Sequence, residues 1–335
     1  MKHSSSWNLD RTLTDILREH VRQKPDLPAL VWNGKPLTFA QLDEQSDRLA
    51  AGLAGCGIGR GDVVSCQLPN TPEYLILHHA VAKRRAILNP IHLLYRTSEV
   101  EPMLRFAKTS MIVMSPPVKD FSYVDMALDI QKRVSTLYHI VSVGEEKATG
   151  AISFDSLLQN SSAFPLDVDG ATADDPFVII FTSGTTSSPK ATVHSHRMRL
   201  GNANICATEL GIRTTDRLLC LSAFSHMWGM KTYWMGLSQG VCHILIGKYR
   251  PDALFSTLIQ NQPTFITGAP PHAMDLLDSP QFDPKPIGGI RSFALSGAVC
   301  SPQLMKRLRS ALPQCTPPDF LGNDRTRRRI LYASG

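Results

Sequence analysis

The sequence has no apolar run near the roughly 20 residues that a membrane span requires. Its first residues, MKHSSSWNLD, lack the apolar core of a secretory signal. CxxC spacing is missing, and Cys56, Cys66, Cys206, Cys220, Cys242, Cys300 and Cys315 are scattered and odd in number. Reduced thiols in a cytosol-like compartment are therefore expected. The HExxH arrangement of a metal site is also missing, so the pairs His78/His79 and His194/His196 read as surface or packing groups, and no metal ligand is assigned. A clustered basic face with aromatic platforms is absent, which argues against a nucleic-acid binder. The net charge is +6, and residues 319–335 supply +2 of it, where Arg325, Arg327, Arg328 and Arg329 outnumber Asp319 and Asp324. No internal repeat or low-complexity tract is found.

What is present is an ordinary globular composition, 43% hydrophobic and 19% charged, in 335 residues. That length suits roughly two domains of about 150 residues. Helical and strand patterns alternate throughout. Leu13, Ile16, Leu17 and Val21 have helical spacing up to Pro25. "PALVWNGKPLTF" reads as a hairpin, because Asn33 and Gly34 both tolerate positive φ. Thr38 and Gln41 form a capping-box pattern for a helix through Leu42, Leu49 and Leu53. "DVVSCQL", "SMIVM" and "HIVSV" read as strands and residues 73–83 as a helix. After "ATADDP" the rhythm restarts with the strand "FVIIF", followed by "RLLCL", "CHILI", "TFIT" and "IRSFAL". Helices are expected to open at Pro251 and after Ser301-Pro302. Continuously apolar strands alternating with helices predict an α/β fold with two covered sheets. The expected boundary lies near 170–176: residues 1–170 form one subdomain, 171–318 a second, and 319–335 a basic tail.

One loop carries chemistry. "FVIIF" runs directly into "TSGTTSSPKATVHSH", residues 182–196. Hydroxyls, bare backbone N–H groups and a lysine suit phosphate oxygens, and each charge-assisted hydrogen bond is worth about 1.5–3 kcal/mol. The spacing is not GxxxxGK[ST], so a P-loop leading into a helix is excluded.

The order of residues in this loop resembles the phosphate-loop signature of the adenylate-forming enzymes, which include acyl-CoA synthetases, 4-coumarate–CoA ligases, luciferases and peptide-synthetase adenylation domains. Thr182, Ser183, Gly184, Thr185, Thr186, Pro189, Lys190 and His196 match, while Ser187 and Ala191 stand where the family has glycine. "LSAFSHMWGM" resembles the family's Pro-x-Phe-His-x-x-Gly segment, with His226, Trp228 and Gly229 at its acyl-pocket places and Ala223 in place of proline. "YRPDALFSTLIQNQPTFITGAPP" looks like the helix–strand–Pro segment that follows in the family. "FALSGAVCSPQL" resembles the segment that lies against adenine and substrate, carried by Ser296, Gly297 and Ala298. "AVAKRRAILNPIHLLYRTSEV" also fits, with Arg85 replacing a common glycine.

The resemblance covers residues 10–316 and implies ATP, Mg2+ and coenzyme A as cofactor and co-substrates of a carboxylic acid. It implies that Thr182 to Thr186 and Lys190 hold the β- and γ-phosphates and that Ser296 to Ala298 line the adenine side. His226, the one catalytic candidate, would border the acyl pocket with Trp228 and Gly229. Past residue 316 the family continues into an aromatic-Gly-Met-Thr-Glu motif whose Thr contacts phosphate and whose Glu helps to hold Mg2+. Here the chain reads "PPDFLGNDRTRRRILYASG". Codons for Phe320 to Thr326 can be chosen so that the frame one base along spells Phe-Trp-Gly-Met-Thr-Glu. The expectation is a frameshift or mis-splice, with the barrel subdomain and small C-terminal domain missing.

Three readings follow. The chain is a ligase by descent, truncated and weak or inactive as written; or a non-enzymatic remnant that binds a nucleotide or acyl group; or a basic-tailed interaction protein. A cytoplasmic location is expected, with a peroxisomal one open for an intact form.

Overall fold

The computed structural model describes residues 9–144, 149–159, 171–182 and 190–315. The phosphate-loop residues Ser183, Gly184, Thr185 and Thr186 and the tail 319–335 lie outside the described residues.

The chain opens with α1 (Leu13–Gln23). Thr12 caps it: the Thr12 hydroxyl accepts from the Asp15 N–H, and the Asp15 carboxylate accepts from the Thr12 N–H at 2.8 Å. Next come β1 (Pro28–Trp32) and β2 (Lys35–Thr38), joined through Asn33 and Gly34 at φ +50° and +75°. Both residues are left-handed, as the tight hairpin turn requires. The chain continues through α2 (Phe39–Gly55), β3 (Val63–Gln67), α3 (Pro72–Lys83), β4 (Ile87–Pro90), α4 (Thr97–Ala107), β5 (Met111–Met114), α5 (Tyr123–Gln131) and β6 (His139–Ser142). There follow β7 (Ile152–Ser153), α6 (Phe154–Gln159), β8 (Pro176–Thr182), β9 (Lys190–Ser195) and α7 (His196–Glu209). The last third holds β10 (Arg217–Cys220), α8 (Met227–Gln239), β11 (Cys242–Leu245), α9 (Pro251–Asn261) and β12 (Phe265–Gly268). It closes with α10 (Pro270–Leu277), β13 (Ser292–Leu295) and α11 (Pro302–Ala311).

These elements form two compact units. The first runs through Asp26 and resumes over Phe39–Gly201. Its sheet has the order β7-β6-β5-β3-β4-β8-β9, parallel except for β9. Ile112, Met114 and Ile140 of the sheet pack with Val100, Leu104, Val124 and Ile130 of α4 and α5. The second unit takes Leu27–Thr38 and the described chain from Asn202 onward. Its sheet has the order β13-β12-β10-β11-β1-β2, parallel except for β2. One face buries Leu219, Ile244, Ile266 and Phe293 beneath Leu254, Leu258, Leu276, Leu304 and Leu308 of α9, α10 and α11. On α8, an added Cβ at Gly236 would meet Leu218 and His243, so this helix lies close against β10 and β11. Each large side chain removed from water in these cores contributes about 1.5–3 kcal/mol.

The fold is the expected mixed α/β architecture with two parallel-rich sheets. The division between the units, however, does not fall at residue 170. β8 pairs with β4, Val178 beside Leu88, so the strands flanking residues 183–189 belong to the first sheet. The hairpin β1–β2 joins the second sheet, with Leu30 beside His243. The composition shift near 170–176 marks a crossover between strands of one sheet, and strand partnership decides membership of a unit.

Candidate functional site

The antiparallel strands β8 and β9 of the first unit stand on either side of residues 183–189. Phe177, Val178, Ile179 and Ile180 of β8 are all buried, which is why this strand reads as a continuous apolar run. β9 is the antiparallel edge strand, and Thr182 stands opposite Lys190 in the ladder. Lys190 is exposed at the foot of the loop. Ala191, at one position where the family pattern has glycine, packs with Ile179, Val63, Ile87 and Ala107.

The far end of β9 is anchored by His196. This ring is buried, stacks on Phe177 at 4.2 Å, and its Nδ1 accepts from the Leu13 N–H at 3.2 Å. Burial pulls its pKa down to about 4, against the opposing pull of Asp175 and Asp15. His78 lies 5.8 Å from Phe177, and burial with the nearby His196 lowers its pKa to about 3. His78, His79, His194 and His196 are all buried, so packing is the observed role of these pairs and a surface role is not. Arg85 has φ +54°, the left-handed region that favours glycine, and its guanidinium pairs with Asp175 at 3.1 Å, immediately before β8.

In the second unit, two expected segments leave the same edge of one sheet. His226 follows β10 and is the exposed N-cap of α8, its N–H bonded to the Ala223 carbonyl at 3.0 Å. Trp228 is half-buried, and among the described residues no acceptor reaches its buried indole N–H. Gly229 has a steric reason: an added Cβ would lie 2.1 Å from the Ala223 carbonyl oxygen. The Thr232 hydroxyl bonds the Trp228 carbonyl at 2.9 Å and the Thr267 hydroxyl at 3.1 Å, tying this turn to β12.

Ser296, Gly297 and Ala298 follow β13. Ser296 is half-buried and its N–H donates to the Gly268 carbonyl at 2.9 Å. Gly297 and Ala298 are exposed. Gly297 has φ +87° with nothing within 4 Å of an added Cβ, so a flat ligand could approach its backbone directly. β12 lies between β10 and β13, and all three run parallel. The structure thus brings His226, Trp228 and Gly229 to the same C-terminal sheet edge as Ser296 to Ala298.

Three residues at that edge escaped the sequence reading. His272 of α10 accepts the Ala269 N–H on Nδ1 at 2.9 Å. Its pKa is lowered by burial, against an opposing pull from Asp275. Tyr249 places its ring 4.5 Å from His272 and donates its hydroxyl to the Asp275 carboxylate at 2.6 Å. Burial and that carboxylate push the tyrosine pKa up. The one available signal was His272 three positions after Ala269, the spacing of a capping residue.

Residues 17–320 match the family model described as "AMP-binding enzyme". The medium-chain acyl-CoA ligase ACSF2 of Danio rerio is 26% identical over 326 residues, which cover 89% of this chain and 53% of that protein. A medium-chain fatty-acid–CoA ligase of Escherichia coli K12 is 26% identical over 296 residues, covering 87% of this chain and 52% of that protein. The chain therefore spans about half the length of the curated relatives it matches. Among solved structures, the anthranilate CoA ligase AuaEII in complex with anthranoyl-AMP superposes with a TM-score of 0.86 at 22% identity, covering 96% of this chain and 62% of that one. At that identity the likeness concerns the fold.

Proposed function

Because the chain belongs to the AMP-binding enzyme family, we propose that it activates a carboxylic acid with ATP and passes the acyl group to coenzyme A. The observation that carries this reading is the emergence of His226–Gly229 and Ser296–Ala298 from the C-terminal ends of β10 and β13. Open parallel sheets take their ligands at that edge. The curated relatives add support, since those named above are acyl-CoA ligases.

In the first step a carboxylate oxygen attacks the α-phosphorus of ATP. The new P–O bond forms as the bond to the bridging oxygen breaks, giving acyl-adenylate and pyrophosphate. In the second step the thiolate sulfur of coenzyme A attacks the acyl carbon, and AMP leaves with the C–O electron pair. Positioning and charge neutralisation are the work left to the protein. Thr182 to Thr186 and Lys190 are assigned to the β- and γ-phosphates, and Ser296 to Ala298 to the adenine side. His226, Trp228 and Gly229 are assigned to the acyl side, where the first-turn N–H groups of α8 favour a carboxylate. Among the described residues no group of three His, Cys, Asp or Glu side chains is placed to hold an ion, and no step is assigned to Mg2+.

The test is ATP–pyrophosphate exchange with aliphatic, aromatic and alicyclic acids, run beside thermal melts with ATP. Acid-dependent exchange above background supports the ligase. A melting shift without exchange identifies a nucleotide binder, since a ligand of the native state stabilises by mass action. The absence of both responses overturns the assignment.

A further inference from the structure

We propose that His272 is the positioning residue that holds the Ser296–Ala298 segment in place, an inference that rests on reading that segment as the adenine side of the site. A single peptide group carries the connection. Gly268 and Ala269 share it: its carbonyl accepts the Ser296 N–H at 2.9 Å, and its N–H donates to His272 Nδ1 at 2.9 Å. A trans peptide is planar with C=O and N–H pointing in opposite directions. Fixing one end therefore fixes the other. Hydrogen bonds in such a chain also polarise one another, so the bond to Ser296 strengthens while His272 accepts.

The ring itself is clamped. An added Cβ at Gly268 would lie 2.9 Å from His272 Nδ1, so the imidazole reaches the peptide only because residue 268 has no side chain. The Tyr249 ring packs against the imidazole at 4.5 Å in an edge geometry, and Tyr249 is held in turn by its hydrogen bond to Asp275. Because Nδ1 accepts, the proton of the neutral ring sits on Nε2. Loss of the acceptor leaves the Ala269 N–H without its partner and frees the peptide to rotate. Ser296 then loses its own acceptor at the root of the loop. Tyr249 follows β11, His272 follows β12 and Ser296 follows β13, so this brace links the ends of the neighbouring strands β12 and β13 to that of β11, one strand further across the sheet of the second unit. Tyr249, His272 and Asp275 all lie outside the Ser296–Ala298 segment that they brace.

The experiment uses the full chain and two kinds of variant. His272→Leu and His272→Ala remove the acceptor, the first while keeping bulk at the site. His272→Asn keeps an acceptor oxygen at capping distance. Amide hydrogen exchange at Ser296 is read together with ATP affinity by titration calorimetry. The acceptor-free variants are expected to speed exchange at Ser296 about 10-fold or more while β13 stays protected, and to weaken ATP binding about 10-fold. His272→Asn is expected to bring both readings back to within roughly threefold of wild type. Unchanged exchange at Ser296 in His272→Leu and His272→Ala overturns the inference. So does failure of His272→Asn to recover, because ring packing and not acceptance would then be the role. Wild type that binds ATP as tightly as the acceptor-free variants do overturns the inference and leaves the reading of the site standing. Wild type that binds no ATP overturns that reading, and the role given to His272 falls with it even where Ser296 exchange responds.

Discussion

Thr182 and Lys190 stand opposite one another in the β8–β9 ladder. Sheet pairing thus joins the two ends of the segment proposed to take the ATP phosphates, and the lysine is exposed.

Lys190→Ala is expected to weaken ATP binding roughly 10- to 100-fold, the worth of one charge-assisted hydrogen bond. Its melting temperature should stay close to wild type, because the side chain is exposed. Calorimetric titration with ATP checks the first point and a thermal melt the second. Equal affinity in the variant would remove Lys190 from the phosphate site.

Gly229→Ala pushes a methyl group to within 2.1 Å of the Ala223 carbonyl oxygen. A loss of about 1–3 kcal/mol or more is expected on urea denaturation, with distortion of the His226 turn. Gly289→Ala is the matched control, since nothing lies within 4 Å of its added Cβ. Similar losses in the two variants would contradict the steric account.

Acid is expected to destabilise the protein through buried histidines. Burial lowers the pKa of His78 and His243 to about 3 each and of His196 to about 4. Above an unfolded-state value of about 6.5 these rings are neutral in both states and stability is unaffected. As pH falls below that value the unfolded chain takes up protons that the native rings refuse. Stability then drops by up to about 1.4 kcal/mol per pH unit for each ring, levelling off near the native values. Urea midpoints between pH 7 and 4.5 test this, and His243→Leu should show a shallower slope. A flat profile in wild type would sink the explanation.

Lys83 is buried, with Nζ at 2.6 Å from both Asp43 and Asp47 and 2.8 Å from the Ser46 hydroxyl. Asp43→Ala leaves that ammonium with Asp47 and the Ser46 hydroxyl but without its Asp43 carboxylate, and a loss of about 1.5–3 kcal/mol is expected. Lys83→Met removes the buried charge and leaves two carboxylates that water already reaches, so it should cost less. Denaturation curves decide, and a larger loss for Lys83→Met would reverse the argument.

Much of this molecule could be read before folding. "FVIIF", "RLLCL" and "CHILI" announce their strands because strands covered on both faces tolerate few polar positions. Asn33-Gly34 announces its hairpin through backbone freedom, whereas Ser296 to Ala298 stand out in the sequence through the family resemblance. β9 was missed because "KATVHS" is polar, as an edge strand with Lys190, Thr192 and Val193 exposed can be. The composition of the Lys83 cluster gives no hint that residues of α2 and α3 meet. His272 lay hidden for a related reason, since its importance derives from a peptide that also serves Ser296. The unit boundary was misplaced because Leu30 finds its neighbour His243 far along the chain, where local pattern has no voice.

The pairing of β1 with β11 also governs how the protein can be made. A ribosome adds about 5–20 residues per second, so the hairpin of residues 28–38 is synthesised roughly 10–40 s before its neighbour at Cys242–Leu245. During that interval β1 presents an open edge to other nascent chains. Yield in living cells should therefore depend on translation speed and on whatever shields the early ribbon.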